Sequence, residues 1–375
     1  MKRILFLLAL YSGSLLAVNI KPVISLDHTD PVNSVVFNPG GTHIVSADEG
    51  NAIKLWDVKN AQMLSVLKGH TKQVRSVAYS PDGLTIASGG LDKKIKLWNA
   101  SNGQEIKSIR TGYGKINSLA FSPDGKKLVS GGAVNVIKFW DVTSGDMLVS
   151  RRSYSGQVTS VAFSPDGTLV ASGSEAVKLW DADGSREVKD YSKGKLGSIS
   201  SVKFSPDGTR LVSGGENSIK VRNVLSGSID LDIEAHQHNI NCVTFSPDGK
   251  WLVSGGDDKV IKLWNALDGK QVKTLKGHSK EITGIDFSAD GARFVSSSND
   301  GSLILWDRVS GEEVARFVSF NDGEWLVLTK DGYYNASANA AKYLLGVAAA
   351  NAEEFYKTYF RPDIVKLIIA GEAYN

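Results

Sequence analysis

The stretch from Gly69 to Asn99 reads GHTKQVRSVAYSPDGLTIASGGLDKKIKLWN, and most of the chain consists of variants of it. Its Trp98 recurs along the chain at steps of 42, 42, 40, 42, 42 and 42 residues. The recurring positions are Trp56, Trp98, Trp140, Trp180, Arg222, Trp264 and Trp306. The sequence therefore contains seven repeats, one of which has Arg where the others have Trp.

Each repeat contains four short runs in which apolar and polar residues alternate. In the quoted repeat these runs are Val74 to Tyr79, Leu84 to Ser88, Ile95 to Trp98 and Gln104 to Ile109. Alternation with a period of two predicts β-strands that bury one side. A unit of this length with four strands is typical of one blade of a propeller.

A Gly-His pair opens two of these units, at Gly69-His70 and Gly277-His278, and a Trp-Asp or Trp-Asn pair closes six of them. At these residues the chain resembles the WD40-repeat family, over about residues 20 to 310. The resemblance implies an all-β fold, a seven-bladed propeller, with a small α+β extension after it. We expect a signal peptide at residues 1–17, the propeller at 18–310 and a hairpin-plus-helices extension at 311–375. The fold alone says little about function, because one fold hosts many activities.

In the WD40 family, a His, a Ser, an Asp and a Trp form a buried hydrogen-bonded set within a blade, called here the tetrad. The resemblance implies complete tetrads in blades two, six and seven. Their members are His70, Ser88, Asp92 and Trp98; His236, Ser254, Asp258 and Trp264; and His278, Ser296, Asp300 and Trp306.

The other blades depart from the tetrad. Blade one has His28, Ser46 and Trp56 but Gly50 at the acidic position, so Asp48 or Glu49 would have to substitute. Blades three and four keep the Ser and the Trp but lack the His and the Asp. Blade five has Glu216 in place of Asp and Arg222 in place of Trp. We therefore expect the middle of the ring to depend more on apolar packing than on polar networks.

A ring of blades must also be closed, because an open end would expose unpaired strand edges. We expect Lys21–Asp27 to dock on blade seven beside the strand that ends at Trp306, with Ala315–Ser319 competing for the same place. We also expect the Ser-Gly-Gly sequence that ends the second strand, as at Ser88, to face a central channel with no room for side chains.

The tail after the repeats keeps an ordered composition. Glu324–Thr329 and Tyr333–Tyr334 predict a hairpin, and helices are predicted at 341–346, 352–360 and 362–370. At DGEWLVLT (322–329), DGYYNAS (331–337) and FYKTYFRPD (355–363), the tail resembles the segment found near WD40 arrays in bacterial proteins that also carry a caspase-like peptidase. We expect no peptidase domain in this chain, because the catalytic Cys and His of that family have no counterpart here.

The N-terminus predicts export from the cytoplasm. Met1-Lys2-Arg3 is a short basic region, an apolar stretch follows, and small residues lead to Ala17, a pattern typical of a secretory signal peptide. Removal of residues 1–17 takes 43 basic residues to 41 against 40 acidic ones. A net charge near +1 does not provide the excess of positive charge that would indicate binding to nucleic acid or to an anionic membrane.

Candidate chemistry is sparse. Cys242 is the only cysteine, so no intramolecular disulfide forms, and its position in a strand indicates a packed residue. His236 and His238 with Asp257 are weak evidence for a metal site. No nucleophile-plus-base pattern and no phosphate loop is present, so we predict no catalytic residue, no cofactor and no metal.

Surface recognition is the remaining possibility. In the WD40 family, partners usually meet the face formed by the loop that enters the first strand and the loop between the second and third strands. That face would present Asn33, Gln73, Arg75, Lys115, Asn117, Gln157, Thr159, Ser198, Ser200, Asn239, Asn241, Glu281 and Thr283. It lacks the aromatic anchors of interface hot spots, so the alternatives are weak polar binding, contact through Trp325, Tyr333 and Tyr334 of the tail, or an ordinary solvated surface.

These observations favour a secreted, most simply periplasmic, bacterial protein that acts as a non-enzymatic scaffold for protein–protein interaction. Two alternatives stay open. One is an envelope enzyme that uses the propeller channel as its active site, which a cluster of carboxylates or His at the channel mouth would favour. The other is an accessory subunit of a separately encoded peptidase, with the tail as its docking piece.

Overall fold

The computed structural model describes residues 22–27, 29–112, 114–152, 156–191, 197–345 and 352–374. Within these residues the chain forms seven antiparallel sheets arranged as blades around a central channel, which confirms the predicted seven-bladed, mainly β architecture. The predicted signal peptide lies outside the described residues. No helix in the described part of the chain has both the length and the apolar character needed to cross a membrane.

Each blade uses strands in chain order, from the channel outward. After a short strand β1 (Val23–Ile24), blades one to four comprise β2 (Val32–Phe37), β3 (His43–Asp48), β4 (Ala52–Asp57), β5 (Gln62–Lys68); β6 (Val74–Tyr79), β7 (Thr85–Gly90), β8 (Lys94–Asn99), β9 (Glu105–Arg110); β10 (Ile116–Phe121), β11 (Lys127–Gly132), β12 (Val136–Asp141), β13 (Met147–Arg152); and β14 (Ser160–Phe163), β15 (Leu169–Gly173), β16 (Val177–Asp181), β17 (Glu187–Asp190).

Blades five to seven comprise β18 (Ser201–Phe204), β19 (Arg210–Gly215), β20 (Ser218–Asn223), β21 (Ile229–Glu234); β22 (Ile240–Phe245), β23 (Trp251–Gly256), β24 (Val260–Asn265), β25 (Gln271–Lys276); and β26 (Ile282–Phe287), β27 (Arg293–Ser298), β28 (Ser302–Asp307), β29 (Glu313–Ser319). Two more strands, β30 (Trp325–Thr329) and β31 (Tyr334–Ala336), extend the sheet of blade seven to six strands. The fourth strand of blade seven therefore lies beyond the boundary predicted at residue 310.

The Ser-Pro-Asp-Gly turns between the first two strands of a blade are held by their own side chains. In blade two, the Ser80 hydroxyl donates to Asp82 Oδ1 at 2.5 Å and accepts from the Thr85 backbone N–H at 2.9 Å. Gly83 has a positive φ of 71°, which a residue without Cβ adopts freely. The side of the ring that carries these turns is called the lower face below, and the opposite side the upper face.

The glycines that end the second strands of blades two to six do not face the channel, contrary to the expectation from the sequence. A Cβ on Gly89 would lie 2.5 Å from Ile116 Cγ2 of the next blade, and one on Gly131 would lie 2.3 Å from Val158 Cγ1. The innermost strands line the channel instead. The glycines are needed because the innermost strand of the following blade packs directly on them.

Ring closure also differs from the prediction. The outer edge of β28 pairs with β29, in which Ala315 lies opposite Leu305, so the C-terminal competitor takes the place predicted for Lys21–Asp27. The N-terminal β1 pairs instead with β32 (Leu344–Leu345) in a separate two-stranded sheet. Strand β29 has seven residues, five of which lie in register with β28, whereas β1 has only two residues, so the longer strand can make more hydrogen bonds along this edge.

The six-stranded sheet of blade seven buries both of its sides near the outer edge. One side, which includes Phe317 and Val327, joins a core with Trp56 of blade one. The other side, which includes Val318 and Leu326, packs beneath β1 and the residues before β32. The ring of Phe317 meets Trp56 edge-on, with centroids 5.6 Å apart. The extension therefore packs across the seam between the last blade and the first.

Two helices complete the extension, α1 (Ala352–Tyr359) and α2 (Pro362–Ala370). Pro362 begins α2 and Gly371, with a φ of 76°, ends it, so both ends follow from the sequence. Val365 and Ile369 of α2 are buried in the core that joins blades one and seven. The helix predicted at 341–346 is instead a short 3-10 helix, Ala340–Tyr343, followed by β32; residue 346 lies outside the described residues.

Candidate functional site

The tetrad residues meet in each of the three blades that carry the full set. In blade two, Trp98 Nε1 donates to Ser88 Oγ at 2.8 Å, and Ser88 Oγ lies 2.7 Å from His70 Nε2. His70 Nδ1 lies 2.8 Å from Asp92 Oδ2. The corresponding distances are 2.9, 2.7 and 2.9 Å in blade six and 2.9, 2.8 and 3.0 Å in blade seven.

In blades two and six the tetrad histidines serve the fold as neutral imidazoles. Burial lowers the pKa of His70 and of His236, although the adjacent aspartates act against this shift. The neutral ring therefore donates from Nδ1 to the Asp and accepts the Ser hydroxyl at Nε2 in these two blades. In blade seven burial opposes ionisation of Asp300, but hydrogen bonds from His278 and Ser302 bring the pKa of that carboxyl below its ordinary value. Both ring nitrogens are occupied and neither is offered to a substrate.

The incomplete blades retain only part of this network. Trp56, Trp140 and Trp180 still donate to their Ser at 3.2, 2.9 and 2.9 Å. In blade one, Asp48 accepts from the Ala52 N–H at 3.0 Å and pairs with Lys54, as one of the two predicted substitutes. The predicted His28 lies outside the described residues.

The polar residues predicted to form a binding face are largely engaged in holding the ring together. In five of the seven blades, the side chain at one position at the start of the innermost strand donates to a backbone carbonyl of the next blade. These bonds are Asn33 to Val74 at 2.9 Å, Asn117 to Val158 at 3.0 Å, Asn241 to Ile282 at 2.9 Å, Thr283 to Val32 at 2.5 Å, and Thr159 to Ile199. Because these bonds recur at the same position around the ring, they join neighbouring blades and have a structural role.

A second belt of bonds runs beside the first. Ser34, Ser76, Ser118, Ser160 and Ser201 each accept the backbone N–H of the following blade's innermost strand, at 3.1 to 3.3 Å. Blade six has Cys242 at this position, where the thiol is buried and its pKa is raised to about 12 by that burial. Blade seven has Gly284, and there Asp286 accepts the Phe37 N–H at 2.8 Å instead.

The remaining residues of the predicted face behave in two ways. Arg75 donates to Asn33 at 3.3 Å and to Gln73 at 3.1 Å, Asn239 donates to Asp257 at 3.0 Å, and Glu281 accepts from Asn299 at 3.2 Å. Lys115 and Gln157 are exposed on the upper face. Most residues of the predicted face therefore make hydrogen bonds within the ring, and few side chains remain to recognise a partner.

The structure shows a concave site between blades four and five, where the tetrad is missing, and Ser198 is the residue of the predicted face that lines it. A cavity of about 720 Å³ opens there, lined by residues of both blades. Arg222 forms part of it, and its Nη1 donates to Ser213 Oγ at 2.9 Å, as the Trp does in the other blades. Its guanidinium lies 5.6 Å from the ring centre of Tyr191. We call this site the blade-five cleft.

Charge distinguishes the blade-five cleft from the rest of the ring. Its lining contains Glu175, Glu216, Asp232 and Glu234 against only two cationic residues. Lys220 is paired with Asp232 at 2.7 Å, and burial lowers the pKa of Arg222. Glu216 and Glu234 are exposed. The signal in the sequence was the pair of departures at Glu216 and Arg222, which predicted a weaker network but not an opening.

No group of three or more His, Cys, Asp and Glu side chains that could hold a metal occurs among the described residues. His236 is buried in its tetrad, His238 is exposed, and Asp257 accepts from Asn239 and from Asn241. The channel, for its part, shows no cluster of carboxylates or His at its described lower mouth, where Asp286 and Lys203 carry the charge.

The seven blades, their tetrads and their Pro-Asp-Gly turns define the chain as a WD-repeat propeller. The family model for the WD domain, G-beta repeat, matches seven times, at residues 20–57, 61–99, 103–141, 148–181, 188–223, 227–265 and 269–307. The chain belongs to this family. No curated protein matches it closely enough to add a more specific relationship.

Proposed function

We propose that the chain is a non-enzymatic scaffold of a bacterial envelope that binds a protein partner at the blade-five cleft. A WD40 propeller is consistent with a protein-interaction scaffold, because such propellers typically bind protein partners. The observation that carries the proposal is the cleft itself, an opening of about 720 Å³ where the other blades are filled by Trp.

The lining of the cleft selects the chemistry of the partner. Four carboxylates face two cations, so the cleft attracts positive charge. Glu216 and Glu234 are exposed at its edge, where a Lys or Arg side chain can pair with them. We therefore expect a partner segment that inserts at least one basic side chain between blades four and five.

Capture from an envelope extract tests the proposal. The chain without residues 1–17 serves as bait, beside a Glu216→Gln, Glu234→Gln double variant and an Asp146→Asn, Glu372→Gln control, which removes the same number of exposed charges elsewhere. We expect one stoichiometric partner with wild type and control and its loss with the double variant. Equal capture by all three baits contradicts the cleft as the site.

The same experiment separates the alternatives. A captured peptidase supports the accessory-subunit hypothesis, which the resemblance of the tail suggests. No stoichiometric partner with any bait contradicts the scaffold hypothesis and favours an activity of the propeller itself.

The location in the envelope is part of the proposal and follows from the N-terminal pattern. We expect cleavage after Ala17, so N-terminal sequencing of the protein from a periplasmic fraction should begin at Val18. Recovery of the full-length chain from the cytoplasmic fraction alone contradicts it.

A further inference from the structure

The lower mouth of the channel is lined by one repeated position of the innermost strands. This position is occupied by Val36, Ala78, Ala120, Ala162, Lys203, Thr244 and Asp286. Five of these residues, all but Ala162 and Thr244, line a cavity of about 350 Å³. Small-molecule sites in proteins commonly have this size and are mostly apolar with a few polar groups.

Two side chains of opposite charge lie among the mainly apolar residues that line this cavity. Asp286 receives the Phe37 N–H at 2.8 Å, and its burial raises its pKa to about 6. Lys203 is exposed, and it forms no salt bridge with any described residue, although its charge acts on Asp286 and opposes the rise in the pKa of that carboxyl. Lys203 and Asp286 are the charged residues of this lining. The carboxylate therefore bears a cost of desolvation that the protein offsets only in part.

A third polar group distinguishes the cavity. The residue that follows the repeated position is Phe in six blades and Tyr79 in blade two. Tyr79 lines the cavity, and its burial raises the pKa of the phenol above its ordinary value. It stays a neutral group that can donate a hydrogen bond. Perturbed titratable groups that converge on a cavity are typical of binding sites.

We propose that this cavity binds a small zwitterion, with the ammonium of the ligand beside Asp286 and its carboxylate beside Lys203. The cavity lining is neutral as a whole, so a ligand with both charges matches it better than a simple cation or anion. An ammonium beside Asp286 stabilises the ionised carboxylate, and the alkyl part of the ligand contacts Val36 and Ala78. The proposal is independent of the blade-five cleft.

Calorimetric titration with ω-amino acids tests the proposal. The probes are 4-aminobutanoate, 6-aminohexanoate and 8-aminooctanoate, which differ in the spacing of the charges, with hexylamine and hexanoate as single-charge controls. We expect one ω-amino acid to bind the chain without residues 1–17 at least tenfold more tightly than either single-charge probe. The absence of binding by all three zwitterions overturns the proposal, as does hexanoate binding as tightly as the best of them.

Variants assign the two contacts. Asp286→Asn keeps an acceptor for the Phe37 N–H, and Lys203→Met keeps the aliphatic stem, so both should fold. Each should weaken binding of the best zwitterion at least tenfold, whereas Lys115→Met on the upper face should leave it unchanged. Unchanged binding in either channel variant overturns the proposed contacts.

The pH dependence gives a separate readout. Because the zwitterion pairs with the ionised form of Asp286, binding should weaken when the pH falls from 7.5 to 5. The neighbouring innermost strands carry Thr244 and Val36 at this position, and Lys203 is the other charged residue of the cavity lining. Equal affinity at both pH values contradicts the contact with Asp286.

Discussion

Replacement of Arg222 by Trp should stabilise the ring while it fills the blade-five cleft. In the other six blades the equivalent Trp is only 1–3% exposed. Its Nε1 donates to a Ser at 2.8 to 3.2 Å, and Ser213 offers the same hydroxyl to Arg222. The new indole would bury apolar surface in place of a partly buried guanidinium, whose desolvation lowers its pKa.

The magnitude follows from comparable changes. Full burial of a large apolar side chain contributes about 1.5–3 kcal/mol, and cavity-filling substitutions commonly gain about 0.5–2 kcal/mol. The lost contact between Arg222 and Tyr191 offsets roughly 0.5–1 kcal/mol of this gain. We therefore expect a net increase of about 1 kcal/mol in the free energy of unfolding.

Urea unfolding followed by far-ultraviolet circular dichroism measures this change without interference from the added Trp. Arg186→Trp is the matched control, because that Arg side chain is 74% exposed and a Trp there gains little burial. A decrease in stability for Arg222→Trp, with the control unchanged, would refute the reasoning that the cleft is an unfilled tetrad site. Loss of partner capture by the stabilised variant would show that the opening itself is needed.

Three further predictions concern the polar groups of the ring. Ser88→Ala removes a hydroxyl shared by a Trp and a His, whereas Ser130→Ala removes one that accepts from Trp140 only, so the first should cost about 1–2 kcal/mol more than the second in urea unfolding; equal costs would contradict the tetrad. Asn117→Ala should cost about 1 kcal/mol, and a change below 0.3 kcal/mol would mean that the inter-blade belt contributes little. Burial raises the pKa of Asp286 in the folded chain to about 6, above the ordinary value of 3.8. Between these two pH values the folded state binds more protons than the unfolded state, so the free energy of unfolding falls as the pH rises from about 4 to about 6. Asp286→Asn should therefore gain about 1–2 kcal/mol over wild type from pH 4 to pH 7, after allowance for channel water; a gain that is constant with pH would contradict the raised pKa.

The blades were predictable because their determinants are local. The alternation of each strand, the Pro-Asp-Gly turn and the spacing of Trp98 act within a few residues and recur with one period. The hydrogen bonds from Asn117 and its equivalents could also have been recognised, because a polar residue at the same position in most blades is more simply explained by a repeated contact between blades than by one binding surface.

Ring closure could not be predicted in the same way. Lys21–Asp27 and Ala315–Ser319 both resemble the fourth strand of a blade, and the choice depends on how much of the strand edge each can pair. That quantity depends on the tertiary packing of Phe317 and its neighbours against blade one, which no local pattern contains.

The charged residues of the channel are also apparent in the sequence, but the sequence alone does not indicate that they form a site. Lys203 and Asp286 occur at a position that is apolar or small in the other repeats. Only the structure shows that they line one cavity, because the sequence does not tell which side of the innermost strand faces the channel.

The central claim is that the C-terminal extension closes the ring. Hydrogen exchange of a variant in which α2 no longer packs against blades one and seven tests this claim most directly. Val365→Ala with Ile369→Ala removes buried side chains from the seam, at a cost of about 3–5 kcal/mol, while Lys366→Ala changes an exposed residue of the same helix. We predict loss of protection in β2 and β26 to β28 of the double variant and unchanged protection in β10 to β12. Protection lost equally in every blade, or retained at the seam, would contradict closure by the extension.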